Sequence, residues 1–460
     1  MKKTGLYFSL GILIVVLFFY ALFRRLDNDE LEAIHTAWKI LFDGQIYKDF
    51  FQNHNPFLYY LLAPVIKLFG ETTRIIYVMR IMMFLMTLGI GYATYLLAKT
   101  ITNKTVGLLS TIMLYSLPII ATKIIDIRPD TPMILCSMLA VAVWFVYLES
   151  KKPLALILST ILLSASFLFL QKAIFLIFFF GLVILYQRWQ KKIVFREILV
   201  YGATFLILPS CYLTYLLYTN SLIDYINCAW LFNKHMVGWA PAFPTIQFAF
   251  LTNIPWWFMF FMGLYFSIKK PKLWSILFLT SVLTGVFYLV PYSYPQYLVP
   301  ALPFATIIAA YGLYHITKQH KNWLIPMILL VSIPPTFTNY IRRVMLSPVS
   351  EQIEKINYIL SITDKNDYVL DSEIGFEGFN LFRKDIDFLW IGILFSIPSF
   401  QKIKPYNYNV YEKIEEKRPK VIGILSITKI PAQCIDKNKN HVIEKYYKKS
   451  DQYNDILIRK

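Results

Sequence analysis

The sequence predicts a polytopic α-helical membrane protein of the kind that carries amphipathic helices in its first outer loop, followed by a small C-terminal α/β domain. Three observations predict it. Apolar residues fill 57% of 460 positions and charged residues only 16%, with a mean hydropathy of +0.50, a balance far from that of a soluble globular chain. Apolar stretches recur at about the 20 residues a helix needs to cross a hydrocarbon core roughly 30 Å thick. Basic residues gather in alternate loops, which sorts the loops onto two sides.

The spans are expected near residues 5–23, 75–98, 106–122, 132–148, 154–170, 174–189, 199–218, 248–268, 273–290, 297–316 and 323–340. That makes about eleven crossings. They must be helices, because lipid cannot satisfy open backbone N–H and C=O groups. Lys2-Lys3, Lys104, Lys151-Lys152, Arg188 with Lys191-Lys192, Lys269-Lys270 with Lys272, and Lys318 with Lys321 all fall on one side, so the N-terminus is assigned to the cytoplasm. Arg24 and Arg25 lie on the other side, where they either snorkel to outer headgroups or serve a site. The first span resembles a signal peptide, but Phe18, Phe19, Tyr20 and Phe23 offer no small-residue cleavage point, and it is read as retained.

The division is placed at residue 340, giving a transmembrane domain over 1–340 and an α/β domain over 341–460. In the tail, Tyr368-Val369-Leu370 and Val421-Ile422-Gly423-Ile424-Leu425 suit short buried strands, and Ile353, Ile356 and Leu360 have helical spacing within 350–362. An odd number of crossings puts this domain on the outer face. The net charge of +18 is ascribed to topology signals facing anionic lipid, and no nucleic-acid motif accompanies it. Four cysteines imply no disulfide framework; Cys228 and Cys434 are both expected outside the membrane, where one disulfide between them stays open, and no CxxC suggests a thiolate metal site.

The outer loops carry the polar chemistry. The first, over 26–73, holds Asp27-Asn28-Asp29-Glu30 and Gln52-Asn53-His54-Asn55-Pro56, and its segments 31–41 and 56–69 have the pattern of amphipathic helices. The second is Asp126-Ile127-Arg128-Pro129-Asp130, and the third is Gln171-Lys172. Acids and bases from such loops suit a site at headgroup level. Each also has a structural account. Asp29 suits the N-terminal turn of a helix, Asp130 an N-cap with Pro132 in the first turn, Lys172 snorkelling, and His54 a hydrogen-bonded structural histidine. Capping and chemistry can coexist.

The order of these elements resembles the GT-C superfamily of integral-membrane glycosyltransferases, in particular the bacterial relatives of protein O-mannosyltransferases, the aminoarabinose transferase of lipid A and the Rgt-type galacturonosyltransferases. Those proteins carry an Asp-Glu pair after the first span, an amphipathic helix, a Gly-x-x-Tyr turn and a proline opening a second interfacial helix. The matching residues here are Asp29-Glu30, His35, Gly44-Gln45-Ile46-Tyr47-Lys48-Asp49 and His54-Asn55-Pro56. Arg128-Pro129-Asp130 resembles the family's second-loop acid, Gln171-Lys172-Ala173 its third-loop lysine, and the stretch from Tyr294-Pro295-Gln296-Tyr297 to Pro300 its late loop. Two departures stand out. Asn55 replaces the lysine that precedes the proline in aminoarabinose transferases, and Gln296 stands where some relatives use arginine.

The resemblance implies transfer of a sugar from a polyprenyl-phosphate donor to a glycolipid, polysaccharide or protein acceptor. Direct displacement would invert the anomeric carbon, and a carboxylate taking the acceptor's proton is worth roughly 10²–10⁴-fold in rate. Asp29 is the expected base. Asp130 would orient acceptor or sugar or raise the basicity of Asp29, while Glu30, about 100° further round a helix, supports the site. The leaving phosphate gains negative charge, so Lys172, Arg128, His54 and, further down the order, Arg24 or Lys48 are candidates to meet it. Tyr47, Asn55, Gln171, Gln296 and Tyr297 complete the expected substrate-binding set; Trp256, Trp257, Tyr292 and Tyr294 are read as interfacial anchors. No cofactor is demanded by the sequence, although Asp29, Glu30, Asp130 and His54 would suit a divalent cation if they converge. The expected location is a bacterial inner membrane in contact with its lipids. The alternatives are a flippase or transporter for lipid-linked saccharides, expected to carry mid-membrane charges and broken helices, and a non-catalytic subunit.

Overall fold

The computed structural model describes residues 3–235, 253–268, 270–289, 295–319, 344–345, 348–371, 377–386, 410–428 and 441–460. The expected span over 323–340, the start of that over 248–268, Tyr292, Tyr294 and Cys434 lie outside the described residues. Two compact units emerge. One comprises residues 1–23, 80–215 and 238–346, the other 24–79, 216–237 and 347–460.

The first unit is helical. It contains α1 (Lys3–Phe23), most of α4 (Arg74–Ile101), α5 (Lys104–Tyr115), α6 (Asp130–Ser150), α7 (Pro153–Phe169), α8 (Ala173–Trp189), most of α9 (Phe195–Tyr218), α10 (Ile254–Ser267), α11 (Pro271–Leu289) and α12 (Leu302–Gln319). Among the described residues, five helices are long and apolar enough to cross a membrane: Thr4–Phe23, Arg74–Ile101, Asp130–Ser150, Phe195–Tyr218 and Gln296–Lys318. The expected span over 106–122 is shorter. Asn103 caps α5 by accepting from the N–H groups of Thr105 and Val106, but the helix stops at Tyr115 and a wide π turn follows over Ile120–Ile124. Pro118 explains the break, since it lacks an N–H and disfavours helical backbone at the preceding residue.

Small and hydroxylated residues let these helices approach closely. Ser159 Oγ donates to the Ala140 carbonyl at 2.7 Å, joining α7 to α6. A close seam joins α10 to α12. A Cβ on Gly263 would lie 1.9 Å from the Ile308 carbonyl oxygen, and one on Gly312 only 2.3 Å from that of Met259, so backbone touches backbone. Gly263→Ala is therefore expected to lower the melting temperature in detergent well below that of Gly181→Ala, where an added Cβ meets nothing within 4 Å. Equal melting temperatures for the two variants would contradict this packing.

The second unit mixes helices with a sheet. It holds α2 (Asn28–Phe42), α3 (Phe57–Phe69), α13 (Val349–Ile362), α14 (Val410–Lys417), α15 (His441–Tyr446) and strands β1 (Tyr368–Leu370), β2 (Lys384–Asp385), β3 (Val421–Gly423), β4 (Tyr447–Lys449) and β5 (Ile456–Arg459). The strand order is β2-β1-β3-β5-β4, with β1 parallel to both neighbours and β5 antiparallel to both of its own. The expected strand at 368–370 and helix at 350–362 are present. The second strand ends at Gly423, and Leu425–Thr428 turns helical. The amphipathic segments of the first outer loop are α2 and α3.

Compactness groups that loop with the tail, whereas the sequence suggests one division at residue 340. The physical reason is a set of specific bonds. Leu26 N donates to Gln352 Oε1 at 3.0 Å, and Thr73 Oγ1 to Asn357 Oδ1 at 2.9 Å. Gly378 has a positive φ of 83° and leaves no room for a Cβ, which would fall 2.6 Å from a Leu31 methyl.

Candidate active site

The residues singled out by sequence fall into two groups, one in each unit. In the helical unit, Arg128, Asp130, Gln171, Lys172, Gln296 and Tyr297 come from three connections. Asp130 is the first residue of α6, with Pro129 at the N-cap and no side-chain capping bond there, so its carboxylate faces other partners. Arg128 Nε lies 3.5 Å from it and Lys172 Nζ 3.6 Å. Both Arg128 and Asp130 are buried, and the helix N-terminus adds positive potential at the acid.

Lys172 immediately precedes α8, and its ammonium sits 3.9 Å from the centroid of the Tyr297 ring, a close cation–π contact. Its side chain keeps 27% of its surface. Burial of the remainder pulls the ammonium below the ordinary lysine range, Asp130 opposing the shift and Arg128 adding to it. Gln171 is buried in the same turn, and Gln296 and Tyr297 are half-buried at the start of the 3₁₀ turn Pro295–Ala301. The unit thus assembles two cations, one acid and one aromatic ring. Such a set can hold an anionic group while keeping the acid ionised.

In the second unit the start of α2 is built by a capping box. Asp27 is the N-cap and accepts from Asp29 N at 3.3 Å, while Glu30 reaches back to Asp27 N at 3.0 Å. Glu30 is fully buried and also pairs with Arg24 Nη1 at 2.9 Å. Capping therefore belongs to Asp27, and Asp29 stands half-buried in the first turn. The Asp27-x-x-Glu30 spacing is the capping-box signal in the sequence that marks Asp27, rather than the adjacent Asp29, as the cap.

The rest of this group forms one tied loop. Gly44, at φ 129°, leaves space for Asp49, whose carboxylate accepts from Gln45 N at 2.7 Å. Tyr47 also has a positive φ, 71°, and its hydroxyl donates to the His54 carbonyl at 2.7 Å. His54 N donates to Gln52 Oε1, and Gln52 in turn donates to Glu32 and Thr36 on α2. Asn55 is fully buried and accepts from the Tyr225 hydroxyl at 2.9 Å, while Lys48 donates to the Thr219 carbonyl at 3.4 Å. Tyr47, Asn55 and Lys48 thus shape the loop that presents His54. Among the described residues, no group of three or more His, Cys, Asp or Glu side chains is arranged to hold a metal ion.

Residues 53–215 match the family model described as dolichyl-phosphate-mannose-protein mannosyltransferase. ArnT from Cupriavidus metallidurans bound to undecaprenyl phosphate superposes with a TM-score of 0.71 at 11% identity, over 99% of this chain and 98% of that one. This chain has the GT-C fold. The oligosaccharyltransferase AglB from Archaeoglobus fulgidus, in complex with an inhibitory peptide and a dolichol-phosphate, superposes with a TM-score of 0.59 at 12% identity, over 100% of this chain and 74% of that one. No curated protein sequence matches. In this GT-C chain the family-matched segment takes in His54, Asn55, Arg128, Asp130, Gln171 and Lys172, and leaves Asp29, Glu30, Gln296 and Tyr297 outside it. With its fold and its apolar helices, the GT-C chain is a multi-pass membrane protein.

Proposed function

We propose that this chain is a glycosyltransferase that moves a monosaccharide from a polyprenyl-phosphate donor to a lipid, glycan or protein acceptor at the outer face of the membrane. The observation that carries the reading is the cluster of Arg128 and Lys172 around Asp130, with Tyr297 under the lysine, inside a GT-C fold. The two solved relatives bind undecaprenyl phosphate in one case and dolichol-phosphate with a peptide in the other, which supports a lipid-phosphate donor here.

The chemistry assigns each group one task. Asp29 takes the proton of the acceptor hydroxyl or amine as its lone pair attacks the anomeric carbon. The bond from that carbon to the phosphate oxygen breaks, and the lipid phosphodiester monoanion departs as a monoester dianion. The configuration inverts. Arg128 and Lys172 stabilise the charge that develops on the leaving oxygen, which is where fixed cations lower a barrier most. Asp130 keeps both cations oriented, Tyr297 fixes the lysine, and Glu30 with Arg24 holds the start of α2. His54, Gln171 and Gln296 offer further hydrogen bonds to phosphate or sugar.

The test uses a panel of synthetic polyprenyl-phosphate monosaccharides incubated with the purified chain in detergent and a crude membrane-lipid acceptor fraction. One donor is expected to be consumed with release of free polyprenyl phosphate and inverted product. Binding of a donor with no turnover on any acceptor fraction would instead favour a flippase or accessory subunit.

A further inference from the structure

Helix α2 carries Asp29 at its start and, six and ten residues on, two buried side chains that the reaction does not use. His35 is 2% exposed. Its Nδ1 lies 3.2 Å from the Leu381 carbonyl and its Nε2 2.8 Å from Asp385 Oδ1, so both ring nitrogens face acceptors. Lys39 Nζ is 2.9 Å from Asp385 Oδ2, and Asn380 Nδ2 donates to Oδ1 at 2.5 Å. Asp385, on β2, thus accepts from Lys39 and Asn380 and lies against the His35 ring. Burial alone would raise its carboxyl, but the charges and hydrogen bonds of His35 and Lys39 outweigh it and hold the group at about 2.

The ring of His35 also stacks on Trp38, at 5.7 Å between centroids, and the Trp38 indole donates to Glu71 at 3.1 Å. Asp43 at 3.6 Å is the second acid facing Lys39. Two adjacent turns of α2 are therefore fixed in rotation and height by directional bonds, where apolar packing alone would leave both adjustable. A helix held this way carries its first turn with it.

We propose that Asp385 is a positioning residue for sugar transfer: by gripping His35 and Lys39 it sets the rotation of α2 and so the placement of Asp29. This rests on Asp29 being the base. Misplacing a reacting group by about 1 Å can reduce turnover by roughly 10²-fold, so even a partial loosening is measurable.

The experiment compares the full chain with Asp385→Asn in two readouts. Hydrogen exchange of the backbone over residues 28–42 is expected to rise in the variant, and kcat to fall about tenfold or more while the donor KM stays within about twofold, because the phosphate-binding cations are untouched. Lys39→Arg, which preserves the charge, is expected to keep both near wild type. If Asp385→Asn does not fold, Asp385→Asn with Lys39→Met removes both charges at once and avoids an unpaired buried ammonium. Unchanged exchange overturns the proposal, as does raised exchange with unchanged kcat. A wild type that transfers from no donor overturns the Asp29 reading and the catalytic role with it, while exchange alone still decides whether Asp385 holds α2.

Discussion

Asp29→Asn is expected to lower kcat for transfer by roughly 10²–10⁴-fold, with the donor KM little changed. The substitution is nearly isosteric and leaves the backbone N–H of residue 29 bonded to Asp27. It also leaves the Glu30 reach-back and the Arg24 pair in place, so α2 should start as before. What disappears is the capacity to accept a proton. Asp27→Ala makes the control, since it removes the cap at a cost of about 1 kcal/mol in stability without removing the acid. A transferase that tolerates Asp29→Asn but not Asp27→Ala would place the base elsewhere and reduce the acidic pair to a helix start.

Asp130→Asn is expected to damage both stability and transfer. It removes the anion that faces Arg128 at 3.5 Å and Lys172 at 3.6 Å, and the loss of one partner from a buried ionic set is destabilising because the remaining cations lose that counter-charge. A lower melting temperature in detergent is the first readout. The second separates folding from chemistry: Asp130→Asn with Lys172→Met should recover much of the melting temperature and none of the transfer, since it removes one acid and one base together and so keeps the cluster's net charge, yet discards a cation assigned to the leaving phosphate. If the double variant regained turnover, the cluster would be a structural device and the phosphate site would lie on other residues.

Much of the architecture could be read from the chain, for identifiable reasons. Helices such as α1 and α6 announce themselves because lipid demands an unbroken apolar run, and α2 and α3 show apolar faces at helical spacing. The sequence reads Asp130 as the N-cap with Pro132 in the first turn; in the structure Pro129 takes the cap and Asp130 opens α6. The grouping of Arg128, Asp130 and Lys172 followed from the order of the outer loops, which brings span ends together even when they are far apart in sequence.

Other features were out of reach. The break after Tyr115 depends on Pro118 inside a run otherwise apolar enough to span, and hydropathy averages over it. Asn55 is expected in the substrate-binding set through the family resemblance, and only the fold reveals that Tyr225 donates to it. Lys39 and Asp385 are separated by 346 positions, and no local pattern joins them. Pairings of that kind are set by tertiary packing, to which periodicity is blind.

That separation bears on how the chain is made. α2 is synthesised within the first tenth of the polypeptide, yet the carboxylate that meets His35 and Lys39 appears only when residue 385 has been added. At about 5–20 residues per second, α2 waits roughly 20–70 s with two buried-type polar groups unmatched. During that interval its apolar face and its unmatched polar groups are open to chaperones, to lipid headgroups and to proteases. A nascent chain stopped short of β2 should be degraded rather than stored, and maturation of the candidate acid at the head of α2 is a late event in the life of a protein whose first helices are already in the membrane.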